Sequence, residues 1–568
     1  MMKSPPDKVV AAMDWTWADY EPHVEALLNA ELTADTLDAW MRHWSDFSKL
    51  SMEVVSRLRV ATTVDTTDEE ADARYRRFMS EIFPKLRQAD FRIKQKLVNS
   101  GLEPADSAVP MRQVKADIDL FREENLPLFT QESDLGLAYN RIIGAQTVEW
   151  EGEERTIAQM GPVFQDPDRD TRKNAWMLIA ERQKQDREQL NDLWRQFMDL
   201  RKQIAANAGF ENYRDFVWLS KGRFDYTPED ALRFTDAIAQ VVVPAASRIY
   251  ELRRQQLGVD RLRPWDLDVD PQGRTPLRPF ADIEDFKAKA ETIFKQVDPQ
   301  LGEQFAIMRA EGLLDLDNRK GKGPGGYCTG FPVSERPFIF QNAVGLDRDI
   351  RTLLHEAGHA FHGFARFDLP YAMQASSPME FNEVASMAME LLAMPYIGGD
   401  NGDVYYDQSD AARSRTEHLR KIILFWPYMA VVVEFQHWIY NNHATATDPA
   451  NCDAKWIELW ERFMPGVDFY NLEEFLPNRW RQQLHIFRYP FYYVEYGLAQ
   501  LGAVQVWANA LKDQGAALAK YRESLALGGT VTLPELFAAA GVKLAFDVDT
   551  LGQAVDLLEG TINELEPV

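Results

Sequence analysis

Two histidines four residues apart, with a glutamate between them, are the residues of this chain best suited to chemistry: His355, Glu356 and His359 in the run R-T-L-L-H-E-A-G-H-A-F-H. On an α-helix, positions i and i+4 share a face, so the two imidazoles can meet one metal ion while Glu356 projects from the flank toward a water on that ion. This is the donor set of a zinc hydrolase. The ion lowers the pKa of its water to about 7, and the carboxylate takes up the proton as hydroxide attacks a polarised carbonyl. Three fixed positions in five also arise by chance, so the pattern needs a third ligand on a neighbouring element.

The stretch S-S-P-M-E-F-N-E-V-A-S-M-A-M-E-L-L-A, from Ser376 to Ala393, reads as that element. Ser377 fits a helix N-cap, Pro378 the first helical position and Glu380 the third residue of a capping box. Glu383 lies one turn further in, where an antiparallel helix would aim it at the two histidines. Glu390, seven residues on, shares its face and is a candidate to support a ligand from outside. The expected centre is one Zn2+ ion held by His355, His359 and Glu383, with Glu356 as general base. His362 is expected beside the metal and not on it, because a catalytic zinc keeps an open position. His418, His437 and His443 have no partners at ligand spacing and read as structural or surface residues.

Other elements must position these groups. Phe338, Ile339 and Phe340, following Pro337, form a compact β-prone run just before the histidine helix. Either it is an edge strand to which an extended peptide adds itself, giving Phe338 and Phe340 substrate contacts, or it is a buried strand that supports the helix. The glycines at 321, 323, 325, 326 and 330 predict a flexible loop ahead of it. A phosphate-binding loop does not fit, since Lys322 is not followed by Ser or Thr and no strand-to-helix frame is present. Near the C-terminus, His485, Tyr489, Tyr492 and Tyr496 fall at i, i+4, i+7 and i+11, a helical stripe that Pro490 would interrupt. Such a stripe serves either core packing or the donation of hydrogen bonds to an oxyanion.

The remaining chain reads as mainly α. Apolar residues recur at three and four spacing over 21–60 and 68–100, the latter interrupted at Pro84. A hairpin is expected around Gly152, one long helix from Asp166-Pro167 to about Ala208, and another from Thr227 to near Gly258 with a kink at Pro244. The longest apolar run, Ile422 to Val433, has 12 residues, short of the ~20 that span a bilayer, and reads as a buried helix. No secretory signal is visible at the N-terminus. Two cysteines, Cys328 and Cys452, in 568 residues argue against a disulfide framework and fit a cytoplasmic protein; Cys328 lacks a nucleophile's partners and reads as structural. The net charge of -25, from 63 basic and 88 acidic residues, argues against nucleic-acid and anionic-membrane partners. Nothing in the sequence sets an oligomeric state.

Several segments in consistent order resemble one family. G-K-G-P-G-G-Y-C-T-G, P-F-I-F-Q-N, T-L-L-H-E-A-G-H-A-F-H and F-N-E-V-A-S lie between Gly321 and Glu390. F-D-Y-T-P-E-D and R-P-W-D-L precede them, and P-F-Y-Y-V-E-Y-G-L-A-Q-L-G-A follows at 490–503. Together they resemble the thimet oligopeptidase and oligoendopeptidase F superfamily of zinc metallopeptidases, on its bacterial oligoendopeptidase F and Pz-peptidase side. The resemblance implies two helical lobes facing each other across a deep substrate channel, with a small sheet beside the zinc helix. It implies an N-terminal lobe over 1–165 and a catalytic domain over 166–568, part of 166–320 packing with the former. It also implies cleavage of internal bonds in short peptides, a mobile glycine loop placing Gly326 and Tyr327 near substrate, and Tyr496 as main oxyanion donor. Tyr489 and His485 would assist and Tyr492 would touch substrate, although the His485-to-tyrosine spacing differs by one residue from thimet oligopeptidase. A zinc carboxypeptidase or dipeptidase on the same scaffold is the alternative activity, and a peptide-binding protein without catalysis a further one.

Overall fold

The computed structural model describes residues 6–399 and 402–566. The fold is helical with two small sheets, as the spacing of apolar residues predicts. The chain forms two compact units, each assembled from three separate segments. The first comprises Met1–Asp119, Pro276–Arg415 and Leu498–Leu544; the second comprises Leu120–Thr275, Thr416–Gly497 and Ala545–Val568. These units divide the chain at other points than 165/166, and the H-E-A-G-H segment shares its unit with the first 119 residues.

In the second unit, β1 (Thr147–Trp150) and β2 (Glu153–Thr156) pair antiparallel as the expected hairpin. Its two turn residues, Glu151 and Gly152, have φ of 54° and 82°, the left-handed pair that a tight two-residue hairpin turn demands. The region 166–208 is two helices and not one: Arg169–Gln185 and Arg187–Asn207 meet at Asp186, whose carboxylate accepts bonds from Arg182 and Gln146 at 2.8 and 2.9 Å. Amphipathic spacing continues through the break, which is why the sequence reads as one element. Pro84 and Pro244 are each preceded by a wider π-turn, Phe78–Ile82 and Ile238–Val242; a proline cannot supply the usual amide, and the extra residue absorbs that loss. The apolar run 422–433 lies within helix Gln408–Asn441, which is long and apolar enough to cross a membrane by length and composition alone. It contains Pro427, and 72% of its apolar stretch is buried within the protein.

The first unit holds the sheet that matters for the site. β3 (Leu314–Asp317), β4 (Tyr327–Phe331) and β5 (Arg336–Ala343) run in the order β3-β5-β4, parallel on one side of β5 and antiparallel on the other. Phe338, Ile339 and Phe340 therefore lie in the central strand, with 1%, 0% and 0% of their surface exposed. This overturns the edge-strand reading and the direct substrate contacts expected of Phe338 and Phe340. A run that is apolar at every position, without alternation, is what a strand covered on both faces requires, and the edges belong to β3 and β4 instead.

A long helix, α1 (Leu37–Val64), buries Trp40, Met41, Trp44, Phe47, Leu50, Val54 and Leu58 on one stripe. It is fixed to the turn between β4 and β5 by a buried carboxylate. Glu53 accepts hydrogen bonds from the Val333 and Ser334 amides at 2.7 and 2.9 Å and pairs with Arg57 at 2.7 Å. The Arg57 guanidinium lies 3.9 Å from the centre of the Phe331 ring. A buried ion pair is tolerable here because three further donors satisfy the carboxylate.

Candidate metal centre and active site

Helix α2 (Asp347–Arg366) carries His355, Glu356 and His359, and α3 (Met379–Ala393) carries Glu383 and Glu390. The start of α2 is held by Asp349, whose carboxylate accepts from the amides of Val344 and Leu346 at 2.8 and 2.9 Å. Asp347 accepts from Ser414 and Tyr406 hydroxyls at 2.5 and 2.9 Å. The start of α3 differs from expectation by one residue. Pro378 occupies the cap position and no side chain caps the helix, so Glu380 does not close a capping box. Ser377 Oγ instead lies 3.3 Å from His362 Nε2, and this buried imidazole stands outside the ligand cluster.

The two helices cross at Gly358. A Cβ built there would stand 2.6 Å from both the Ala385 carbonyl oxygen and the Ser386 Cα. Glycine inside a helix costs about 1 kcal/mol relative to alanine, and here it permits the backbones to approach until Glu383 reaches the histidines. Gly358→Ala is expected to force α2 and α3 apart and to weaken metal retention by about tenfold or more with the ligands unchanged. Competition with a chelator, compared with wild type, checks this.

Glu383 Oε2 lies 3.4 Å from His355 Nε2 and 3.7 Å from His359 Nε2, and the three donor atoms all fall within 4.8 Å of one another. Among the described residues this is the group that could hold a metal ion. Ligands about 2.1 Å from a zinc ion in tetrahedral geometry stand roughly 3.4 Å apart, so the spacing fits one ion of that kind. Charge gives an independent test. Glu356 and Glu383 are buried, with Glu390 close by, and a buried group of carboxylates calls for a cation. Two imidazoles and a carboxylate are a zinc-type donor set.

The surrounding groups orient the ligands. Glu390 Oε1 is 2.7 Å from His355 Nδ1, leaving Nε2 directed at Glu383, and Ser386 Oγ donates to Glu383 Oε2 at 3.2 Å. Such outer contacts fix ring orientation and raise ligand basicity. Burial opposes charge on His355, but its bonds to Glu383 and Glu390 outweigh burial and hold it well above the usual imidazole range. His359, buried and beside His355, is pushed down to about 4. Burial pushes the Glu356 carboxyl up to about 7, against the pull of His355 and of the nearby Cys328 amide; a divalent cation alongside would favour its ionised form.

Gly326 lies against this group: a Cβ there would be 3.9 Å from Glu356 Oε1 and 3.4 Å from Thr352. Tyr327 stacks on Phe340 with centroids 4.9 Å apart. The glycine segment is tethered. Gly321 O accepts from the Thr66 amide at 2.6 Å, the Gly323 amide donates to Thr63 O at 2.7 Å, and Asn342 Nδ2 donates to the carbonyls of Gly323 and Gly325. Lys322 is fully covered and donates to the carbonyls of Asp315, Asp317 and Gln341. The Thr63 and Thr66 anchors lie far away in sequence, and composition alone reads the segment as free. Cys328 and Cys452 are both free thiols, raised by burial.

His485, Tyr489, Tyr492 and Tyr496 belong to the second unit. They do not form one helical stripe: Leu484–Phe487 is a short helix, a turn follows with Phe491 at φ 60°, and a new helix starts at Tyr493. The rings nevertheless gather, with His485 centroids 6.1, 5.9 and 6.4 Å from Tyr489, Tyr492 and Tyr496. Burial and the nearby Lys221 push His485 down to about 4. Gln436, unremarkable in the sequence, clamps the turn by donating to His485 O at 3.0 Å and accepting from the Phe491 amide at 3.1 Å. His418 and His437 are buried, and His443 meets the Met198 carbonyl at 3.0 Å.

Comparison with known proteins settles the family. The sequence pattern of Peptidase family M3 matches residues 163–551. The chain belongs to peptidase family M3. An oligoendopeptidase F homolog of Borreliella burgdorferi is 20% identical to this M3 chain over 594 aligned positions, covering 99% of it and 95% of the relative. Oligopeptidase PepF of Bacillus subtilis is 24% identical over 332 residues, 57% of the M3 chain and 47% of the relative. Among solved structures, Pz peptidase A with an inhibitor superposes with a TM-score of 0.87 at 26% identity, covering 100% and 99% of the two chains.

Proposed function

We propose that this M3 chain is a zinc-dependent oligoendopeptidase that hydrolyses internal bonds of short, unstructured peptides. The observation that carries the reading is the convergence of His355, His359 and Glu383 beside a buried carboxylate, Glu356. One zinc ion on those three ligands would polarise a carbonyl and acidify water in its open position. Glu356 takes a proton from the attacking water as its oxygen adds to the carbonyl carbon. It then delivers a proton to the amine nitrogen as the carbon–nitrogen bond breaks.

The strand that grips the peptide is β4. It is one of the two edges of its sheet, and the one whose start lies against Glu356, so an extended peptide can pair with it through backbone hydrogen bonds, largely regardless of sequence. Tyr496, assisted by Tyr489 and His485, is the proposed oxyanion donor and Tyr492 a substrate contact, on the strength of the resemblance over 490–503. A cytoplasmic setting, and partners limited to peptides without nucleic acid or membrane, complete the proposal.

A length series of one peptide together with denatured casein tests it. Rapid internal cleavage of peptides of roughly 5 to 20 residues is expected, with little digestion of casein. Strict release of one or two residues from an end would replace the reading with a carboxypeptidase or dipeptidase, and tight binding without cleavage would replace it with a peptide-binding protein.

A further inference from the structure

β4 has two different faces. On one, Gly326 and Cys328 meet α2: a Cβ on Gly326 would lie 3.4 Å from Thr352 and 3.9 Å from Glu356 Oε1, and the Cys328 amide lies close enough to favour the charged form of Glu356. On the other, Tyr327, Thr329 and Phe331 meet α1. Thr63 Oγ1 is 2.5 Å from the Tyr327 hydroxyl, Ser56 Oγ is 3.4 Å from Thr329 Oγ1, and Arg57 covers Phe331. Ser56, Arg59 and Thr63 follow one another at three and four residues, one stripe of α1 along β4. Alternation along a strand dictates this separation of faces.

Arg59 is the charged member of that stripe. Its guanidinium lies 5.3 Å from the centre of the Tyr327 ring, a cation–π arrangement, and the side chain is exposed. Arg57, one turn-fraction away, is consumed by Glu53. Arg59, among the described residues, has the Tyr327 ring as its contact and no carboxylate in ion-pair range. In a chain with 88 acidic and 63 basic residues, an arginine left with an aromatic ring alone has its charge available to a ligand.

A peptide added to β4 would bring one residue directly opposite Tyr327. Directly opposed residues project to the same face with their Cβ atoms about 4.5 to 5.5 Å apart. The side chain of that peptide residue therefore enters the space beside Tyr327 where the guanidinium lies, while its neighbours in the peptide face Glu356. We infer that Arg59 is a specificity-determining residue that reads a carboxylate on the peptide residue paired with Tyr327, within about two residues of the bond cut. The carboxylate has two possible sources, an Asp or Glu side chain or the C-terminus of a peptide that ends there. The inference rests on the proposed peptidase activity and on pairing with β4.

The test uses the whole zinc-loaded chain and a set of otherwise neutral peptides in which each position in turn carries Asp, Asn or Lys, each made with a free or amidated C-terminus. For wild type, the Asp/Asn ratio of kcat/KM, or the free/amide ratio, is expected to reach about 5 to 10 at one position only, typical of a partly exposed charge pair. In Arg59→Ala that ratio falls to about 1, and in Arg59→Glu the same position favours Lys. Zinc content and melting temperature of each variant confirm that it is folded and loaded. Peptides cut with identical ratios by wild type and Arg59→Ala would overturn the role of Arg59 and leave the peptidase reading standing. Failure to cut any peptide would overturn both.

Discussion

Glu356→Gln is expected to bind zinc at close to one ion per chain while kcat falls by about 10³-fold. Glutamine has nearly the shape of glutamate but cannot accept the proton of water or return it to an amine, and general acid–base groups typically contribute 10²- to 10⁴-fold. Glu356 lies outside the ligand triad of His355, His359 and Glu383, so removing its charge leaves the donor set whole. Metal analysis after dialysis, paired with steady-state kinetics on one oligopeptide, separates these effects. A variant that loses zinc together with activity would place Glu356 among the ligands and demand a different base.

Glu383→Ala is expected to do the opposite. Its Oε2 is the oxygen that stands 3.4 and 3.7 Å from the two imidazoles, and without it two histidines alone face the ion. Metal retention should collapse well beyond the 10- to 100-fold cost of losing an orienting partner. Glu390→Gln, which weakens only the 2.7 Å contact to His355 Nδ1, should fall within that smaller range. The readout is the rise in melting temperature on adding zinc, which follows affinity for the folded state. Wild type should show a large rise, Glu390→Gln a smaller one and Glu383→Ala almost none. An equal rise in all three would remove Glu383 from the metal centre.

The parts of this site that could be read from sequence are those set by helical periodicity. His355 and His359 at i, i+4 and Glu383 and Glu390 at i, i+7 need only the geometry of a helix to be placed on shared faces. Gly358 was also visible in H-E-A-G-H, and a glycine in a helix signals a packing reason, but the reason itself, Ala385 and Ser386 on another helix, is a tertiary fact. Sheet order was harder. The run Phe338 to Phe340 announces burial, whereas its position between β3 and β4 depends on which strands pair, and no local pattern encodes that. The glycine segment read as mobile because glycine is permissive, yet it is held by Thr63 and Thr66, some 255 residues away or more. Contacts across such distances leave no trace in the composition of either partner.

The first unit is built from three stretches of chain separated by segments of the second. Tyr521, in the last of these stretches, donates its hydroxyl to the Ala385 carbonyl at 2.7 Å, the carbonyl that Gly358 allows α2 to approach. During synthesis the histidine helix therefore leaves the ribosome before one of its supports exists. At roughly 5 to 20 residues per second, the interval between His355 and Tyr521 lasts on the order of 10 seconds or more. Throughout it the apolar faces of α2 and α3 lack part of their final cover, and long-range closure of this kind folds slowly. The candidate metal centre is thus a late product of folding, and the nascent chain bears its greatest exposure to aggregation and to chaperones just before the stretch from Leu498 to Leu544 emerges.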